Sequence, residues 1–202
     1  EPAGSLVHPE CWTSCASPVP HGNRIYIRTF GRLACVEDPR AGLARTKATA
    51  LRDRFAAGGA GSIPALVEAL GDPGEEVRWT ALALLERLGV QAAPALTQAV
   101  TDANGRRRWC AARLLGGLGA AAAPAAPALA KVLSGDAFGD VRIEAGRALK
   151  AIGSTEGLTA EAVRAASDPV VEVRKLAASL LAAIGPDGAA AVPALLKQMR
   201  ED

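Results

Sequence analysis

Internal repetition constrains this chain more than any other feature. Four segments share one register: DPGEEVRWTALALLERLG (72–89), DANGRRRWCAARLLGGLG (102–119), DAFGDVRIEAGRALKAIG (136–153) and DPVVEVRKLAASLLAAIG (168–185). In each, an Asp (Asp72, Asp102, Asp136, Asp168) stands six residues before an Arg (Arg78, Arg108, Arg142, Arg174). An Ala follows that Arg by three residues (Ala81, Ala111, Ala145, Ala177), and an aliphatic-Gly pair closes the segment at Gly89, Gly119, Gly153 or Gly185. The steps between copies are 30, 34 and 32 residues. A period of that length marks stacked supersecondary units.

The residue types predict the unit. The Asp reads as a helix N-cap, with Pro73 and Pro169 at the first helical position and Glu75 completing a capping-box-like pair with Asp72. Val77, Ala81, Leu84, Leu85 and Leu88 form one apolar stripe at helical spacing. The small Ala permits close helix approach, and the closing Gly supplies a left-handed stop. A first helix precedes each segment: IPALVEAL (63–70), APALTQAV (93–100), APALAKVL (126–133) and TAEAVRAA (159–166), and another opens at VPALLKQM (192–199). Pro64, Pro94, Pro127 and Pro193 mark the starts, with Ala160 in the equivalent place. Half of the residues are apolar but only 3% are aromatic, which suits close helix packing and disfavours sandwiches and barrels. Each helix pair must stack on its neighbours to bury both faces.

The first-helix Pro, the turn Asp, the Val-Arg pair, the Ala and the closing aliphatic-Gly together resemble the HEAT repeat family, in particular the short HEAT-like repeats also found in phycobilisome lyases. The resemblance covers about residues 63–200 and implies an all-α, right-handed α-solenoid of about four repeats plus a terminal helix. It further implies that Asp72, Arg78, Asp102, Arg108, Asp136, Arg142, Asp168 and Arg174 form a ladder tying successive repeats together. The second copy departs from the pattern, with Arg107 in place of Val and no Pro after Asp102. Residues 38–62 read as a degenerate capping repeat, because Arg45, Ala48, Leu51 and Phe55 fall in the register of Arg78, Ala81, Leu84 and Leu88.

Residues 1–37 have another character and read as an irregular arm rich in Pro and Cys. Within it RIYIRTF (24–30) alternates well enough for a strand, and a helix running into GRLACVED fits nearly as well. Cys11, Cys15, Cys35 and Cys110 form an even set suited to two disulfides, for example Cys11–Cys15 and Cys35–Cys110, although sequence cannot choose among the three pairings. His8, Cys11, Cys15 and His21 are the alternative, a metal site, but their spacings are irregular for zinc, and free thiols remain a third reading. The chain starts at Glu1 and its sole Met is Met199, which with the cysteines leads us to expect an exported bacterial protein, periplasmic or secreted.

The function classes narrow by elimination. A net charge of +2 argues against a nucleic-acid surface despite GRRRW (105–109), and no apolar run is long enough to span a bilayer. No nucleophile-base arrangement or phosphate loop is visible, and Asp and Arg residues recurring in every copy read as scaffold rather than as catalytic pairs. We therefore expect no enzyme and no cofactor. With the stripe inward, positions 79, 82, 83 and 86 should face away. The copies differ there: Trp79, Trp109, Ile143 and Lys175 at the first, Arg113 and Arg147 among those at the third, and Glu86, Gly116, Lys150 and Ala182 at the last. Trp79, Trp109, Arg113, Ile143 and Arg147 have the composition of a protein-binding hot spot on the concave face, unless the indoles pack inward. The expected partner is another protein or the subunits of a larger complex. The alternatives are a metal- or cofactor-bearing subunit built on the His/Cys cluster and a bilin-lyase-like enzyme, the latter resting on the repeat resemblance alone.

Overall fold

The structure is a computed structural model that describes residues 24–29, 32–37 and 39–191. The candidates His8, Cys11, Cys15 and His21, and the helix expected at 192–199, lie outside the described residues. The first described elements are strands β1 (Arg24–Thr29) and β2 (Arg32–Glu37), paired antiparallel with Arg24 opposite Glu37 and Thr29 opposite Arg32. This corrects the irregular reading of the arm for residues 24–37. The strand expected at 24–30 forms, and the residues after it turn back as a second strand rather than running into a helix. Pairing with β2 satisfies the backbone groups of β1, which alternation in one strand alone could not announce.

Helix α1 (Pro39–Gly58) follows, and then helix pairs stack in chain order. They are α2 (Ile63–Ala69) with α3 (Glu75–Leu88), α4 (Ala93–Ala99) with α5 (Gly105–Gly117), α6 (Ala126–Gly135) with α7 (Gly139–Ile152), and α8 (Thr159–Ala165) with α9 (Val171–Ile184). This is an α-solenoid. The first helices begin where their prolines predict, with Pro64, Pro94 and Pro127 in the opening turn. Gly89, Gly119, Gly153 and Gly185 all take positive φ, between +57° and +79°, but only Gly153 is the left-handed stop expected: Gly89 and Gly185 close their helices with an extended ψ, and α5 is closed by Leu118, ahead of Gly119. Among the described residues no helix is long and apolar enough to cross a membrane.

One core runs the length of the stack. Ala81, Ala111, Ala145 and Ala177 are wholly buried, as are Leu66, Leu115, Leu129 and Leu149. The four alanines lie in the core that the repeats share. Ala48 is buried in the same way and α1 packs on α3, so the stack extends one helix ahead of residue 63.

The turn Asp works differently from the expectation. The residues that cap the second helices are Gly74, Asn104, Phe138 and Val170, each two positions after the Asp, so the Asp is not the N-cap and Pro73 and Pro169 lie ahead of the first turn. Glu75 is the first residue of α3 and forms no capping box. Each Asp instead closes a local turn, its Oδ1 accepting from the N–H of Gly74 (2.7 Å), Asn104 (2.8 Å), Phe138 (2.9 Å) or Val170 (2.8 Å). The six-residue spacing has its own cause. Nη1 of Arg78, Arg108, Arg142 and Arg174 donates to the backbone carbonyl of Asp72 (2.8 Å), Asp102 (2.8 Å), Asp136 (2.7 Å) and Asp168 (3.0 Å) respectively. Both side chains are therefore held in every turn before any contact between repeats is made.

Candidate functional site

With the turn geometry set, Arg108 and Arg142 present their remaining edge, Nε and Nη2, towards the next repeat. Arg108 clamps Asp136 through both atoms (2.6 and 2.9 Å), and Arg142 clamps Asp168 in the same way (2.7 and 3.0 Å). These are bidentate, nearly buried pairs, and they are the ladder that the resemblance implied. Burial alone would push the Asp136 carboxyl up. The hydrogen bonds from Arg108 and from the Phe138 N–H, with the charges of Arg108 and Arg142, overcome that and hold it below the ordinary 3.8. Its hydrogen bond to Asp136 raises Arg108 in turn, against the pull of burial. At the other end Lys47 pairs with Asp72 at 2.9 Å, but Lys47 is about half exposed, so this rung is weaker.

The rung between the first and second copies is missing. Asp102 is taken by Arg107 of its own repeat (2.7 Å), the residue that stands where the other copies have Val77, Val141 and Val173. Arg107 also reaches back to the Glu68 carbonyl (3.2 Å), while its own Nε is buried without a hydrogen-bond partner. The Asp102 carboxyl is lowered first by the Asn104 N–H and then, against burial, by Arg107. Arg78 donates to the carbonyls of Asp72 and Pro73, and its Nε and Nη2 have no acceptor among the described residues.

Beside that missing rung a groove of about 840 Å³ opens across α3, α5 and α7. Four of the five expected partner-binding residues line it: Trp79, Trp109, Ile143 and Arg147. Trp79 is 51% exposed, anchored by a 3.0 Å hydrogen bond from its Nε1 to Glu75. Trp109 is half-buried, and the Arg113 guanidinium lies 5.6 Å from its ring centroid, so Arg113 backs the indole rather than lining the floor. Arg147 is exposed and 3.6 Å from Glu144.

Two expectations about facing directions fail. Leu82 is buried at 4% rather than facing away, and it forms floor under the two indoles. Gly116 packs on the neighbouring helix, where an added Cβ would lie 3.0 Å from the Ala148 Cα. The stripe is wider than five positions because α5 and α7 each touch a second helix on either side as well as their own first helix, and α3 touches α1 and α5 besides α2. Sequence reasoning also missed Phe138, which is 59% exposed and lines the same groove with Arg106 and Asp140. A signal existed: Phe138 holds the helix-capping place that Gly74, Asn104 and Val170 hold elsewhere, an odd position for a large ring.

Cys110 contributes to the floor and is a free, buried thiol, so the Cys35–Cys110 staple is not formed. Its sulfur sits 3.9 Å from the Leu70 carbonyl, and burial pushes the thiol up, above the ordinary 9.0. It is a small core residue here and no nucleophile at neutral pH. Among the described residues no group of three or more His, Cys, Asp or Glu could hold a metal ion.

The sequence matches the HEAT repeats family over three overlapping segments, residues 33–116, 63–133 and 126–202. Comparison with curated proteins gives no match. Among solved structures, human deoxyhypusine hydroxylase is similar at 29% identity over 60% of this chain and 43% of that one, with a TM-score of 0.49. An engineered protein is similar at 25% identity over 70% of this chain and 74% of that one, with a TM-score of 0.48. The chain thus spans less than half the length of the hydroxylase. The family segments run without a gap through the helix pairs, the turn Asp-Arg units and the ladder, and the chain belongs to the HEAT repeat family.

Proposed function

We propose that this chain is a non-catalytic interaction scaffold, a subunit that holds a segment of another protein in the groove across α3, α5 and α7. One observation carries the reading. Trp79 and Phe138, two of the five large apolar side chains left more than half exposed among the described residues, line one and the same groove. Scattered apolar exposure needs no explanation, but large rings converging over a floor of Leu82, Val141 and Ile143 give a partner apolar area to cover. Trp and Arg are the side chains that most often dominate such contacts, because a rigid ring loses little entropy when it is covered. Trp79 and Trp109 would be the anchors, with Arg113 holding the Trp109 ring in place.

The test uses a random linear-peptide library displayed on phage and selected on the immobilised chain. The selected peptides should bind the wild type, and binding should fall by about tenfold or more on Trp79→Ala/Trp109→Ala. Circular dichroism should show unchanged helicity in that variant. Peptides that bind the double variant as tightly as the wild type would place the interface elsewhere and end this reading.

A further inference from the structure

The groove contains half of a salt bridge. Wherever a ladder Arg meets a ladder Asp in this chain, the guanidinium presents Nε and Nη2 together and receives both carboxylate oxygens, as Arg108 does from Asp136 and Arg142 from Asp168. Arg78 is built to the same plan, with its Nη1 fixed to the carbonyls of Asp72 and Pro73. Those bonds remove most of the side chain's freedom in advance, so a ligand that meets the other edge need not order it. Yet Asp102, its counterpart in the repeat, is held by Arg107 at 2.7 Å. Arg78 lines the groove beside Trp79, Leu82 and Trp109, and two further arginines, Arg106 and Arg147, line it against Asp140 and Glu144. Glu144 already faces Arg147 at 3.6 Å.

We propose that a carboxylate of the partner completes the missing rung: an Asp or Glu side chain in a linear protein segment pairs bidentately with Arg78 while an apolar neighbour covers Trp79 and Leu82. The partner would thereby take the place of Asp102. This deepens the reading of the groove as a protein-binding site, and it rests on that reading. The geometry selects a carboxylate because a planar fork with two parallel N–H donors matches two coplanar oxygens, and a cation or a plain apolar segment leaves the fork unpaired. Arg107 is the residue that keeps the rung open. With Val in its place, as in the other copies, Asp102 loses its present partner and the vacant edge of Arg78 is the nearest equivalent of what Asp136 and Asp168 meet.

The experiment takes peptides selected from the same phage library and compares each with its amide form, Asp→Asn or Glu→Gln, by fluorescence anisotropy. The selected sequences should carry an acidic residue next to an apolar one, and the amide form should bind the wild type about tenfold more weakly. On Arg78→Gln the acid and amide forms should bind alike. On Arg107→Val the acidic peptide should likewise lose about tenfold in affinity, with the variant as helical as the wild type. Peptides that need Trp79 but show no preference for acid over amide would overturn this inference and leave the scaffold reading standing. So would an acid preference that survives Arg78→Gln. Failure to select any peptide that depends on the two indoles would remove both.

Discussion

The junction between α3 and α5 and the junction between α5 and α7 are built from equivalent positions and pack in opposite ways. At α5–α7, Gly116 lies against Ala148 so tightly that no Cβ fits, and Arg108 clamps Asp136 in a nearly buried pair. At α3–α5, Glu86 holds the place of Gly116, Leu114 that of Ala148, and Leu82 that of Ala112 and Gly146. The two helices meet along far less of their length there. Larger residues keep them apart, Arg107 withholds Asp102 from Arg78, and the groove occupies the space. Identical repeats would make a uniform rod. A site appears where one junction carries the wrong residues for closing.

Three measurements would break or sharpen this contrast. The largest effect belongs to Asp168→Ala, which strands the buried Arg142 guanidinium and should cost about 3–5 kcal/mol in urea denaturation followed by circular dichroism. Asp102→Ala should cost much less, because its partner Arg107 remains reachable by water. Equal losses would mean that the two regions are not distinct. Next comes Gly116→Ala. Alanine ordinarily favours a helix over glycine, but here its Cβ meets the backbone of α7, so a net loss of about 1–3 kcal/mol is expected. Glu86→Ala, at the equivalent exposed place, should stay within about 0.5 kcal/mol. A stabilised Gly116→Ala would show that α5 and α7 are not in close contact.

The smallest effect is acid. Asp136 titrates below 3.8 in the fold, so its contribution is present above the unfolded value and is lost as the pH falls through the folded one. A protonated carboxyl still fills the site and still accepts from Arg108, which keeps the loss below that of deleting an Asp. Thermal melts from about pH 5 downwards should therefore fall less steeply for Asp136→Asn than for the wild type. Parallel curves would remove Asp136 from the acid response.

Much of this molecule can be read without coordinates. The four Asp-Arg-Ala-Gly registers announce the helix pairs, the prolines mark the first helices to within a residue, and Trp79 and Trp109 stand out because later copies replace them with Ile143 and Lys175. The local chemistry of the Asp was misjudged, since an Asp before a helix can cap it or close the preceding turn, and both patterns leave the same residues in the sequence. Phe138 lies in the turn, outside the helical register that the repeats share, so the spacing of the copies does not single it out. Cys110 could not be paired by counting, because an even number of cysteines says nothing of which are buried.

By itself the sequence determined the unit, its period and its membership of a stack, because helix capping, apolar spacing and small-residue contacts act over a few residues and repeat wherever those residues do. Only the tertiary structure decided which junction closes and which stays open. Arg107, Leu82 and Glu86 are each unremarkable substitutions within one repeat. Their consequence depends on what the next repeat places opposite them, across 24 residues between Arg78 and Asp102, where geometry rather than sequence proximity settles which charges meet.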